Sequence, residues 1–181
     1  MNDTTLPDAS KESDVWYETL RDGHRVLVRH IRPQDREAER EFIECLSNQA
    51  KHYRFLGGVL HPSENLLSQL TVLDRSREAA LVAIEAGRGD GCMLGVARYS
   101  AGAGSLRCEC AVTVADAWQH KGLGTVLMQR LIEVARANGM KTIYSMDLAD
   151  NASMHDLVRG LGFDTRPDPD DASQVIHELR L

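Results

Sequence analysis

The chain has 181 residues, 43% of them apolar, and a formal net charge of -6 at pH 7. This length suits one compact domain and is short for two. The acidic balance argues against a nucleic-acid binder, which normally presents a basic face. No apolar run approaches the roughly 20 residues that cross a bilayer, and the N-terminal residues do not resemble a secretory leader. We therefore expect a cytoplasmic protein without a membrane partner, and the sequence leaves open whether it forms a homodimer.

The first part of the chain is predicted to hold a tail and a hairpin. Residues 1–15 are mostly polar, which predicts a mobile tail before a single domain over residues 16–181. The turn dipeptide Asp22-Gly23 separates two strand-like runs, 16–20 and 25–31. These two runs are expected to pair as neighbouring strands.

Helices are predicted next, followed by strands and two further helices. Apolar residues recur at helical spacing after Pro33 and again after Pro62-Ser63, where Ser63 is a candidate cap, and a further helix includes His52 to Leu56. Strands are predicted over 79–86, 93–99, 106–114, 142–148 and 175–181, and helices from Gly122 to Asn138-Gly139 and from Asn151 to Arg159. This order predicts a mixed α+β domain.

The cysteines are predicted to be reduced core residues. Cys45, Cys92, Cys108 and Cys110 show no C-x-x-C spacing, and Cys108 and Cys110 share one face if they lie in a strand. No histidine has a recognisable metal-ligand spacing relative to them, so no metal is predicted.

A glycine-containing turn between a strand and a helix is the first functional signal. Gly122 and Gly124 place free amide groups at the positive end of a helix dipole, where a diphosphate would bind, and Lys121 could add a charge. The segment is not a Walker A motif, and Leu127 stands where a dinucleotide fingerprint has its third glycine. From the glycines alone, a tight turn before a helix is an equally good interpretation.

The surrounding residues resemble the GNAT (Gcn5-related N-acetyltransferase) family. Gln119-His120-Lys121-Gly122-Leu123-Gly124 is similar to its pattern Gln/Arg-x-x-Gly-x-Gly/Ala. Four further segments resemble family elements in order: Arg29 to Asp35, Cys108 to Val114, Asn151 to Met154, and Leu161-Gly162-Phe163. The resemblance spans about Val26 to Leu181 and implies a mixed, mostly antiparallel sheet splayed between the family's fourth and fifth strands, here 106–114 and 142–148.

The resemblance implies transfer of an acetyl group from acetyl-CoA to a primary amine, by direct attack. Tyr53-Arg54-Phe55, Ala79 to Ala83 and Cys108-Glu109 look closest to bacterial protein lysine acetyltransferases, so the acceptor is a protein lysine or a small amine. The segment 48–70 would frame the acceptor pocket. The implied cofactor-binding residues are Val112, Val114, Gln119, His120, Lys121, Gly122, Leu123, Gly124, Thr125 and Asn151, the last of which could equally be a helix cap.

Glu109 matches the glutamate that lysine-acetylating members carry in this strand, and it is the candidate general base. We expect a carboxylate within an otherwise apolar run to be buried, although a solvent-facing charge is the alternative. A main-chain amide of Ala111 or Val112 would polarise the thioester carbonyl.

One departure from the family pattern concerns the general acid. Position 158, where many members carry a tyrosine that protonates the leaving thiolate, is Val158. His155 is a weaker substitute, and a thiolate can also leave with help from water. A non-catalytic acyl-CoA-binding module and a GNAT-like fold that no longer binds the cofactor are therefore kept as alternatives.

Overall fold

One mixed sheet runs through the molecule in the computed structural model, which describes residues 14–55, 61–87 and 92–181. Its eight strands lie in the order β1-β2-β3-β4-β5-β6-β8-β7. They are β1 (Val15–Thr19), β2 (Arg25–His30), β3 (Glu78–Glu85), β4 (Met93–Ala101), β5 (Arg107–Val114), β6 (Thr142–Leu148), β7 (Asp164–Pro167) and β8 (Gln174–Arg180). Only β5 and β6 pair in parallel. The predicted α+β class and mostly antiparallel sheet are confirmed.

The predicted N-terminal hairpin is present as β1 and β2. Leu20 N donates to His24 O at 2.8 Å, and Gly23 has φ 89°, a left-handed conformation that glycine adopts without strain. The predicted tail lies almost wholly on residues 1–13, outside the described residues, and Val15 is already the first residue of β1.

The first three helices cover one face of the sheet. They are α1 (Arg36–Cys45), α2 (Asn48–Phe55) and α3 (Glu64–Thr71). Ser63 caps α3 as predicted, because its side chain accepts from Leu66 N at 3.2 Å. The helix predicted to include His52 to Leu56 is α2, which already begins at Asn48, and Leu56 lies outside the described residues. Apolar side chains of α1 and α3 form a core with Ala80 and Val82 of β3.

The last two helices, α4 (Leu123–Ala137) and α5 (Ala152–Gly160), take part in the core on the opposite face. That core contains Leu81 and Ala83, the residues of β3 that alternate with Ala80 and Val82. Because helices cover both faces, the interior of β3 is buried throughout rather than at every second residue. Helix α4 ends where predicted, with Gly139 at φ 81°.

Strand β7 was not predicted. It has four residues, all exposed, and it ends at Pro167. It pairs only with β8 at the edge of the sheet, where a proline is tolerated and no buried face imposes an alternating pattern.

Candidate active site

The candidate site lies where strands β5 and β6 separate. Their parallel pairing ends at the pair Glu109 and Tyr144. Beyond it the strands are no longer paired, and a cavity of about 760 Å³ is lined by residues of both. This volume falls in the range of pockets that hold small ligands and cofactors. The predicted splaying of the family's fourth and fifth strands is therefore confirmed.

Strand β5 presents main-chain groups to this cavity. In an antiparallel pair of strands, the main chain of every second residue hydrogen-bonds to the partner strand. Since Ala115 N donates to Leu94 O, Ala115 and every second residue before it in β5 bond to β4. Val112 and Val114 lie at the intervening positions, so their amide and carbonyl groups turn away from β4 toward the gap. The Val114 carbonyl accepts from Gln119 Nε2 at 3.3 Å. Val112 thus offers both groups to a ligand, and Val114 offers its amide.

The loop before α4 carries unused amides. His120 has φ 61° and Gly122 has φ 91°, so two residues adopt left-handed conformations just before the helix begins at Leu123. Within the described part of the chain, the amides of residues 120–125 donate to no acceptor, whereas the Gln119 amide bonds within the preceding turn. They therefore lie free at the positive end of the helix. The loop residues that line the cavity are Gln119, His120, Gly122, Gly124 and Thr125.

The positive charge beside this loop comes from Arg21 rather than from Lys121. Lys121 Nζ lies 3.2 Å from Asp22 Oδ2 and 4.8 Å from the centre of the Trp118 ring, and its side chain does not line the cavity. Arg21 lines the cavity, its amide donates to Lys121 O at 3.1 Å, and a Cβ on Gly122 would lie 3.4 Å from its Cγ and Nε. Sequence reasoning missed Arg21 because it belongs to the β1–β2 turn, far from the loop along the chain.

Two other predicted cofactor residues have clear positions. Leu123 is buried in the core, so only its main chain faces the loop. Asn151 lines the cavity, and its side chain accepts from Met154 N at 3.3 Å at the start of α5. Asn151 is therefore a helix cap, and its position at the cavity is compatible with the predicted contact to the cofactor.

Glu109 is exposed, so the expectation that it is buried was wrong. Cys108 and Cys110, its neighbours in β5, turn into the core with exposed fractions of 0% and 4%, and the two-residue period of a strand sends Glu109 to the other face. Tyr144 Oη donates to Glu109 Oε2 at 3.4 Å. Burial and, after it, the Glu109 carboxylate raise the pKa of Tyr144, which keeps this hydroxyl protonated.

Glu109 stands between two concave surfaces. On one side it lines the large cavity, and on the other it lines a smaller polar pocket of about 480 Å³ with Glu78, Arg107 and Tyr144. The Arg107 guanidinium lies 3.5 Å from the centre of the Tyr144 ring. A group held in the polar pocket would reach the cavity past this carboxylate.

Helix α2, part of the segment 48–70 that is predicted to frame the acceptor pocket, forms part of the cavity wall. Gln49, Tyr53 and Arg54 line the cavity, and burial lowers the pKa of Arg54 to about 10, so it remains charged at neutral pH. Two other polar residues of this segment point elsewhere. Lys51 Nζ donates to Glu44 O at 2.8 Å, and Glu64 pairs with Arg36 and Arg40 on the outer surface.

Position 158 carries no acidic side chain, but β6 places a carboxyl group at the cavity, opposite β5. Val158 is fully buried, and His155 bonds to Ala149 O at 3.1 Å without lining the cavity. Asp147 of β6 does line it, with 15% of its side chain exposed. Its sequence signal was a carboxylate between two apolar residues, Met146 and Leu148, within a predicted strand.

The cysteines do not form a reactive centre. Cys108 and Cys110 are buried as predicted, but the prediction was wrong for Cys45 and Cys92, which are exposed. Burial raises the pKa of Cys108 to about 11 and that of Cys110 further, so neither forms the thiolate that an acyl carrier would need.

Over residues 14–55, 61–87 and 92–181, no three histidine, cysteine, aspartate or glutamate side chains form a group suited to a metal ion. Over the same ranges, no helix has the length and apolar character to span a membrane.

Comparisons with known proteins agree with this geometry. Residues 49–163 match the model of the acetyltransferase (GNAT) family. The chain is 47% identical over 173 residues to the acetyltransferase PA5475 of Pseudomonas aeruginosa, covering 96% of this chain and 93% of that one. The GNAT domain of PAT from S. lividans superposes with a TM-score of 0.85 at 26% identity, covering 92% of this chain and 97% of that domain. The Salmonella typhimurium protein yncA, solved with its cofactor acetyl-CoA, has a TM-score of 0.70 at 22% identity, over 86% of this chain and 94% of that one.

Proposed function

The chain belongs to the acetyltransferase (GNAT) family, and from this premise we propose that it transfers the acetyl group of acetyl-CoA to a primary amine, either a protein lysine or a small molecule. One observation carries the proposal. Residues with free amides in the loop before α4 and the main-chain groups of Val112 and Val114 line a single cavity, which Glu109 also lines. This arrangement suits a ligand with an anionic end, an amide-containing arm and a reactive group near Glu109.

The residues present fit acetyl-CoA, which supplies the thioester carbonyl that an amine attacks. The amides of 120–125 and the Arg21 guanidinium would hold its diphosphate, and Val112, Val114 and Asn151 would hold its pantetheine arm. Thr113 Oγ1 supports this assignment, because it is buried beside the cavity and has no hydrogen-bond partner in the part of the chain that the structure describes. Lys121 and Leu123 would contribute their main-chain amides.

Glu109 would prepare the acceptor. A lysine ammonium has a pKa of about 10.4, so at pH 7 only about one molecule in a few thousand carries the free lone pair. Glu109 faces both the cavity and the polar pocket, where it can accept the amine proton directly or through one water. The Ala111 amide bonds to β4, whereas the Val112 amide faces the cavity. The Val112 amide is therefore the one available to polarise the thioester carbonyl.

A turnover assay tests the proposal against a non-catalytic binding module. Purified protein is incubated with acetyl-CoA and a panel of amines and lysine peptides, and free thiol is measured together with acetyl-CoA binding. We expect thiol release that depends on an acceptor. Binding without thiol release across the panel would favour a sensor, and the absence of binding would show that the fold has lost its cofactor.

Arg21 and Lys121 should differ in their effect on the cofactor. Arg21→Ala is expected to weaken acetyl-CoA binding by at least about tenfold, because it removes a charged partner of the diphosphate worth about 1.5–3 kcal/mol. Lys121→Ala should have little effect, because its ammonium already pairs with Asp22. Calorimetric titration of both variants with acetyl-CoA measures this. Equal losses in the two variants, or a larger loss for Lys121→Ala, would contradict the assignment.

A further inference from the structure

A buried polar cluster borders the cavity on the β6 side, and the proposed reaction has so far given it no role. It comprises Ser145 and Asp147 of β6 and His177 of β8, with His155 of α5 against it. His177 is fully buried, and its Nε2 has no hydrogen-bond partner among the described residues. Buried polar groups are normally paired, so the cluster calls for a physical explanation.

Asp147 lies at the level of the cavity where the reacting end of a bound thioester is expected. The last paired residues of the two strands are Glu109 and Tyr144. Asp147 is three residues beyond Tyr144, as Val112 is three residues beyond Glu109. With the diphosphate held at 120–125 and the carbonyl near Glu109, as proposed, the sulfur atom would lie between them, beside Val112 and Asp147.

The surroundings of Asp147 shift it toward its protonated form. Burial raises the pKa of Asp147 despite the hydrogen bond of 2.7 Å that Ser145 Oγ donates to Oδ2. His177 Nε2 lies 3.9 Å from the same oxygen, too far for a hydrogen bond, and burial lowers the pKa of His177. Two other titratable groups of the described residues interact electrostatically with Asp147, namely His155 and Cys110. Burial therefore shifts both the histidine and the aspartate toward their neutral forms.

We infer that Asp147 is the general acid of the proposed transfer and gives its proton to the departing sulfur of the donor. This inference rests on the proposed function. As the amine nitrogen bonds to the carbonyl carbon, the carbon–sulfur bond breaks, the sulfur keeps the electron pair, and it takes the Asp147 proton. Glu109 passes the first proton of the ammonium group to solvent before the attack and accepts the second from the nitrogen after it. Exchange with solvent then returns both carboxyl groups to their starting states. Asp147 thereby fills the role left open by Val158.

The first test uses an equilibrium readout that does not depend on turnover. The thiol of bound coenzyme A is titrated in the wild-type protein and in Asp147→Asn, by the ultraviolet absorbance of the thiolate. The thiol ionises at a pH above the pKa of Asp147, where Asp147 is a carboxylate that disfavours a neighbouring thiolate, so the bound thiol should have a higher pKa in the wild type than in the variant. Asp164→Asn, on the exposed strand β7, is the control and should match the wild type. Identical thiol pKa values in all three proteins would overturn the inference.

The second test follows turnover against pH. Asp147→Asn should lower kcat by about 10- to 100-fold, toward the lower end of general acid catalysis because an alkyl thiolate with a pKa of about 8.5 is a fair leaving group. The wild-type kcat should decline as pH rises through the raised pKa of Asp147, since its acid form is then lost, and the variant should lack this decline. Asp147→Glu, which keeps a carboxylic acid, should retain the decline of kcat with rising pH.

The outcomes separate this inference from the proposed function. A wild-type protein that binds acetyl-CoA without turnover would defeat the proposed function before any variant is made. An active wild type together with a fully active Asp147→Asn would defeat only the role of Asp147. A loss of kcat with an unchanged pH profile and an unchanged thiol pKa would assign Asp147 a purely structural role and also overturn the inference.

Discussion

Replacing Glu109 with glutamine should lower kcat about 100-fold at pH 7 while leaving the dissociation constant for acetyl-CoA unchanged. General bases typically contribute about 10²- to 10⁴-fold, and the low end is expected for an exposed carboxylate. The affinity should persist, because the groups proposed to hold the cofactor belong to β5 beyond residue 109, to the loop before α4 and to Arg21. Steady-state kinetics and calorimetric titration measure the two quantities separately.

The pH dependence provides a sharper criterion for Glu109. The free-base fraction of an amine rises about tenfold per pH unit below its pKa of about 10.4, so the need for a base declines at higher pH. The defect of Glu109→Gln should therefore shrink between pH 7 and pH 10. Glu133→Gln, an exposed carboxylate on α4 that pairs with Arg130, is the matched control. A defect that stays constant with pH, or an equal loss of affinity, would remove Glu109 from proton transfer.

The elements that sequence predicted correctly depend on local signals. The hairpin at Asp22-Gly23 and the end of α4 at Asn138-Gly139 are set by turn residues whose conformations need no distant partner. The loop 119–124 was found for the same reason, because its glycines and the following helix are adjacent in the chain.

The features of the site that could not be predicted from the sequence depend on contacts between distant segments, or on which face of a strand a side chain occupies. Arg21 reaches the loop only because the β1–β2 turn packs against Lys121. The cluster at Asp147 needs His177 from β8. The burial of Glu109 was misjudged because its apolar neighbours in the chain, Cys108 and Cys110, lie on the opposite face of the strand. Neighbours in sequence are therefore a poor guide to the surroundings of a strand residue.

The second large effect is expected at Gly122. Gly122→Ala should weaken acetyl-CoA binding at least about tenfold. An alanine at φ 91° costs about 1–2 kcal/mol, and the loop can relieve this strain only by moving. Such a movement would displace the free amides, each of which contributes about 1.5–3 kcal/mol when it bonds to a charged ligand. The added Cβ would also lie 3.4 Å from the side chain of Arg21. Binding is measured by titration and by the rise in melting temperature that acetyl-CoA produces.

Gly139→Ala is the control that separates backbone strain from cofactor binding. Gly139 has φ 81°, so alanine there carries a similar strain, but it follows the far end of α4 and an added Cβ would meet no atom within 4 Å. Both variants should lose similar stability without ligand, while only Gly122→Ala should lose the stabilisation by acetyl-CoA. If the two variants bound acetyl-CoA equally well, the amides of 120–125 would not be the anion site, and the assignment of the cavity to this cofactor would fail with them.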